Sequence, residues 1–176
     1  MKTTIRSLAL LLSVTLLLTA CVKSKEDDPR GSFTHAGKTY TTNKAMYTSH
    51  LNSNGQFSYG ELSIASTDFT NSNFSGKVSA VGILFDQPAP TNGTFTYRYE
   101  TDPNFQANQH FFDAYMAANI QYPDINSGTF TDYISGGTVT VTVSGERVTV
   151  NFDLDFDGER VTGSYTGPIK TLTEEY

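Results

Sequence analysis

GTVTVTVSGERVTVNFDLDFDGERVTGSYT, residues 137–166, holds two turn signals between three runs of alternating apolar and polar residues. Gly145-Glu146 fits the centre of a two-residue type II′ turn, which needs glycine first, and then sets Val143 opposite Val148, Val141 opposite Val150 and Val139 opposite Phe152. Asp157-Gly158 fits a type I′ turn and sets Leu154 opposite Val161, Phe152 opposite Gly163 and Val150 opposite Tyr165. The two turns are read independently, yet together they put every large apolar side chain on one face. The other face carries Thr, Ser, Asn and Asp, with Asp155 directly opposite Arg160. A slip of one residue would exchange the faces, so turn chemistry and burial specify the same register.

Outward from this stretch, the chain from Phe33 onward is rich in Thr, Val, Tyr and Phe in short runs separated by Gly, Asn, Ser, Asp or Pro clusters, the texture of β-structure. Further strands are expected at Lys38 to Thr42, Gln56 to Ala65, Lys77 to Phe85 and Gly93 to Glu100. In the last of these Phe95, Tyr97 and Tyr99 share a face opposite Thr94, Thr96, Arg98 and Glu100. Between Asp102 and Tyr122 the period is blurred. Phe112, Met116 and Ile120 recur at helical spacing, which predicts a short helix near 105–120, or else an irregular strand with a long loop. The fold class is all-β: a single antiparallel β-sandwich over 33–176, with a lipocalin-like closed β-barrel as the alternative. Both bury one face of every strand, so patterning alone leaves both open.

The N-terminus reads as an address. Lys2 and Arg6 precede an apolar run from Leu8 to Leu18, which has the form of a signal peptide over 1–20 and is too short to span a bilayer. Cleavage would remove both of these basic residues and no acid, so 12 Lys and Arg become 10 against 18 Asp and Glu, and the net charge moves from -6 to -8. So acidic a chain is a poor partner for nucleic acid, which is held through clustered Lys and Arg. Cys21 is the only cysteine, so no intramolecular disulfide is available and stability rests on a packed core. From Val22 to Ser32 the chain is polar and charged, with Pro29 and Gly31, which reads as a flexible acidic tether.

Leu18-Thr19-Ala20-Cys21 resembles the lipobox of bacterial lipoproteins, and Lys25-Glu26-Asp27-Asp28 resembles the acidic signal that follows the lipidated cysteine in surface-exposed lipoproteins of the Bacteroidota. The chain as a whole, with its Gly163-Ser164-Tyr165-Thr166-Gly167-Pro168 ending, is similar to the small β-sandwich lipoproteins of that group. The resemblance implies lipidation of Cys21 by diacylglycerol, with a further acyl chain such as palmitate on the new amino group. Two or more chains, at about 0.8 kcal/mol per buried methylene, make a stable membrane anchor where one is marginal. It implies an outer-membrane location, with the domain on the cell surface or, alternatively, on the periplasmic face. It transfers no functional residue.

No cofactor is expected from the sequence. Asp153 to Gly158 looks like the start of a calcium loop, but Ser164 stands where a bidentate Glu is needed and the hairpin explains the same residues. His35, His50 and His110 are far apart and form no metal-ligand spacing, so each reads as an ordinary polar residue. Glu61, Asp86, Glu100 and Asp113 are carboxylates that could pair only through the fold. There is no Gly-x-Ser-x-Gly elbow and no phosphate-binding loop. Tyr97 and Tyr99 are the candidate ligand contacts, because a tyrosine row on a sheet stacks on sugar rings when it is not core. The expected function is a non-enzymatic envelope lipoprotein that binds a glycan or another envelope protein. The alternatives are a barrel holding a small apolar ligand and a glycan-acting enzyme.

Overall fold

The computed structural model describes residues 30–70, 74–122 and 124–176. The signal peptide, Cys21 and most of the tether lie outside the described residues. The described chain is all-β: β1 (Arg30–His35), β2 (Lys38–Thr42), β3 (Lys44–Leu51), β4 (Phe57–Ala65), β5 (Gly76–Phe85), β6 (Gly93–Tyr97), β7 (His110–Phe111), β8 (Asp113–Tyr122), β9 (Thr129–Thr131), β10 (Gly136–Ser144), β11 (Arg147–Phe156) and β12 (Glu159–Glu175), with one 3-10 turn at Ile125–Ser127. They form one curled sheet in the order β7-β6-β10-β11-β12-β3-β4-β5-β8-β9, with β1 and β2 branching from β12.

All six apolar cross-strand pairs read from residues 137–166 are present in the register. Gly145 has φ +59°, and both Asp157 (φ +52°) and Gly158 (φ +92°) are left-handed, as their turns require. Asp155 lies opposite Arg160. The guanidinium instead reaches diagonally to Asp153, its Nε donating to Oδ1 at 2.6 Å, while Asp155 Oδ1 accepts from Gly158 N at 2.7 Å and closes the turn. The oxygens that suggested a calcium loop are thus engaged within the hairpin.

The expectation of a wholly antiparallel sheet is corrected at two places. β12 is long enough to serve three partners: through Pro168 it pairs antiparallel with β11 and, on its other edge, with β1, and from Ile169 to Glu175 it runs parallel to β3. The change falls at Pro168, whose missing N–H suits a point where a ladder ends. β6 and β7 also run parallel. The path of strands has ends at β7 and β9, so the barrel alternative, in its closed form, is not what forms. The strands at the two ends of that path are very short, two and three residues, which limits edge-to-edge pairing there.

The helix expected near 105–120 is absent, and the second reading of that segment, an irregular strand after a long loop, is the observed one. In β8 Ala114, Met116 and Ala118 face the main core, whereas Ile120 pairs with Val78 on the opposite face. The register shifts between Val78 and Ala80, where Asn119 takes φ +56° and donates its N–H to Ser79 Oγ at 3.0 Å. A spacing of four fits a strand's period of two as well as a helix, and the extra residue carries Ile120 to the other face. The domain also starts earlier than expected, since β1 begins at Arg30 and takes the last three tether residues into the sheet.

Both halves of the sheet bury their inner faces in one core, with Tyr47, Leu62, Ile64, Val81 and Met116 meeting Phe95, Val139, Val150, Leu154 and Tyr165. The interior space bounded by Tyr47, Leu62, Phe85 and Phe95 amounts to about 10 Å³. That is room for about one water, far below what an apolar ligand needs.

Candidate functional site

The loop after β6 decides what becomes of the aromatic row. Arg98 N donates to Phe111 O (3.0 Å) and Asp102 N to Tyr99 O (2.9 Å), so the chain turns out of the sheet directly after Tyr97. The turn is fixed by Asp102, which accepts from Asn104 N (2.7 Å) and from Arg98 Nη1 (2.8 Å). These bonds hold its carboxyl below the usual range. His110 locks the other end. Gln106 N donates to its Nδ1 (2.9 Å), and Arg98 Nε lies 3.3 Å from its Nε2.

The row named by Phe95, Tyr97 and Tyr99 therefore splits in three. Phe95 is core. Tyr97 is half-buried and packs on Phe111, their rings 5.8 Å apart. Tyr99 is 64% exposed. Together Tyr97 and Tyr99 line a surface cleft of about 390 Å³, whose other aromatic walls are Phe112 and Tyr133. Tyr133, in the connection from β9 to β10, is 79% exposed. The volume lies within the usual range for small-molecule sites, roughly 300–1,000 Å³.

Three carboxylates line the same cleft, Glu100, Asp113 and Asp132, and no Lys, Arg or His is among its lining residues. Burial raises the pKa of Asp113 above the ordinary carboxylate value, and the nearby charge of Asp132 adds to the shift, although Ala114 N donates to Asp113 Oδ1 at 2.8 Å. Burial also raises the Tyr97 hydroxyl, with Asp113 contributing. A carboxyl that holds its proton more tightly when folded loses stability as pH rises from its unfolded value of 3.8 through its higher folded value, and the cost persists above that window. Asp113→Asn, which keeps the acceptor for Ala114 N, should therefore melt above wild type at pH 7 and level with it at about pH 3, as read by thermal scans at both pH values. A lower melting temperature at pH 7 would contradict this placement of Asp113.

Of the four carboxylates singled out from the sequence, only Glu100 and Asp113 meet. Asp86 is exposed elsewhere. Glu61 belongs to a separate network on the outer face of β3, β4 and β8, where its Oε1 accepts from Tyr115 OH (2.6 Å) and from Ser63 Oγ. Beside it His50 stacks on Tyr59 with centroids 4.4 Å apart, its Nε2 lying 3.6 Å from Glu61 Oε2 and its Nδ1 3.9 Å from Glu174 Oε2. His35 Nε2 lies 2.8 Å from Glu159 Oε2. All three histidines are buried and each sits against a polar partner. Among the described residues no group of three or more His, Cys, Asp and Glu could hold a metal ion.

Phe112, Asp132 and Tyr133 line the cleft without having been singled out for it from the sequence. Phe112 looked like one step of a helical stripe, and Asp132-Tyr133 stands in a stretch with no period. Only the irregular segments on either side of β8 bring them to Tyr97 and Tyr99. No protein-family model, curated protein or solved structure matches the chain.

Proposed function

We propose that the chain is a lipid-anchored envelope protein, displayed on the outer-membrane surface through Cys21, that binds a glycan in the cleft between Tyr97, Tyr99, Phe112 and Tyr133 and carries out no reaction on it. The observation that carries this reading is the pair of exposed rings, Tyr99 and Tyr133, lining one cleft whose charged groups are all carboxylates. Aromatic faces stack on the apolar faces of pyranose rings, and carboxylates accept hydrogen bonds from adjacent hydroxyls. The non-enzymatic reading draws on the sequence, which has no nucleophile placed beside a base, and on the engagement of Glu61 by Tyr115 and Ser63.

The test is an oligosaccharide screen of the purified protein followed by titration of the hits. Tyr99→Ala and Tyr133→Ala should each weaken binding by a few-fold to about ten-fold, corresponding to roughly 0.5–1.5 kcal/mol of ring contact, and should leave the melting temperature unchanged. Tyr97→Ala should lower both, because its ring also packs on Phe111. Unaltered binding in the Tyr99 and Tyr133 variants would remove the cleft from the glycan reading. Turnover of a bound oligosaccharide that disappears on replacing one carboxylate would replace binding by catalysis.

The anchor is tested separately. Full-length protein expressed in a bacterial host should partition into the detergent phase, and Cys21→Ala should stay in the aqueous phase or accumulate uncleaved. Mass spectrometry showing an unmodified Cys21, or cleavage elsewhere, would remove the lipoprotein assignment.

A further inference from the structure

We infer that the glycan held in this cleft is an amine-bearing one, a sugar whose free ammonium lies against Glu100, Asp113 and Asp132 while its ring faces rest on Tyr99 and Tyr133. The inference deepens the glycan-binding reading and depends on it. Its basis is charge. Three carboxylates and no basic side chain line the cleft. The hydroxyls of Thr101 and the tyrosines serve any sugar, but every charged group of the lining is a carboxylate. An anionic sugar would meet like charge there, and a cationic one opposite charge.

Two further observations agree. Asp132 lies close enough to Asp113 to add, after burial, to its raised pKa, a repulsion that a bound cation relieves. The aromatic faces of Tyr97, Tyr99, Phe112 and Tyr133 add cation–π attraction for the same charge, which neither a hydroxyl nor an N-acetyl group would gain. Arg98, the basic residue closest in sequence, is held away from the carboxylates by Asp102 and His110. The negative potential of the cleft is therefore not neutralised from within its own loop.

The discriminating experiment titrates the purified full-length protein, in non-ionic detergent, with a β-1,4-linked glucosamine tetramer and with the fully N-acetylated tetramer. At about pH 5.5 the sugar amine, whose pKa the neighbouring oxygens lower, is mostly protonated and ordinary carboxylates are ionised. The free-amine tetramer should bind about ten-fold tighter at low salt, and the advantage should shrink when ionic strength rises to roughly 0.3 M. Glu100→Gln, Asp113→Asn and Asp132→Asn combined should bring the two tetramers to equal affinity, with a cooperative thermal transition showing that the variant is folded, whereas Tyr99→Ala should weaken both tetramers and keep the preference. Equal binding of the two tetramers overturns the amine inference and leaves the glycan reading standing. Failure of both to bind overturns both. Binding of a lysine tetrapeptide as tightly as the free-amine sugar would reassign the cleft to cationic peptides and overturn the inference.

Discussion

Val150→Asp is expected to unfold most of the protein at ambient temperature, whereas Asn151→Asp, one residue along, should melt within a few degrees of wild type. Val150 is fully buried, with Val141 and Tyr165 as its cross-strand neighbours. A carboxylate there has no cation to pair with and no water to solvate it. Its cost of several kcal/mol is a large share of a total stability of roughly 5–15 kcal/mol. Asn151 points to solvent on the opposite face, between Thr140 and Ser164, where a charge is hydrated. Chemical denaturation of the two variants checks the facing assignment of the whole β10–β12 unit. Similar midpoints would mean that the assignment is wrong.

Gly60→Val should be nearly as damaging, for a reason that has nothing to do with backbone freedom. Gly60 lies inside β4 beneath the Tyr47 side chain, and a Cβ built on it would overlap both the Tyr47 hydroxyl and the Gln87 carbonyl oxygen. Those two groups form a hydrogen bond, Tyr47 OH donating to Gln87 O at 2.6 Å, and burial pushes the Tyr47 hydroxyl well above its ordinary pKa. Gln87 in turn donates its side-chain amide to Ala107 O, tying this bond to the loop that carries the cleft. A larger residue at 60 must separate Tyr47 from Gln87. The loss combines overpacking of roughly 1–3 kcal/mol with about 1–3 kcal/mol for each buried polar group left unpaired. Tyr47→Phe removes the hydroxyl without adding volume and should cost less than Gly60→Val. If Gly60→Val melts level with Tyr47→Phe, the close approach at residue 60 is not what requires glycine there.

The limits of the sequence reading are visible in particular residues. β10, β11 and the first half of β12 were legible because each pairing is set by a two-residue turn and a period of two, both of which lie within a few positions. β3 was missed although Ala45 and Tyr47 face one core and Met46 a second apolar cluster, since burial on both faces erases alternation. β8 imitated a helix because Phe112, Met116 and Ile120 stand four apart, a spacing that strand and helix share, and the bulge at Asn119 that sends Ile120 to the other face leaves no local signal.

For the candidate site the division is similar. Tyr97 and Tyr99 were legible as a row, but their different fates follow from the turn made by Arg98 and Asp102. The carboxylates Glu100 and Asp113 gave no sequence signal of belonging together, and Asp132 and Tyr133 gave none at all. By itself the sequence determined the β class, the register of the last three strands and the lipoprotein-like N-terminus read as an expectation, because turn chemistry, side-chain period and a short linear motif are local. Only the tertiary structure decided that β12 leaves β11 for β3 after Pro168, that the sheet stays open, and that four rings and three carboxylates converge on one cleft. Those outcomes depend on which distant apolar faces bury one another, and that free energy belongs to the whole packed core rather than to any short stretch of chain.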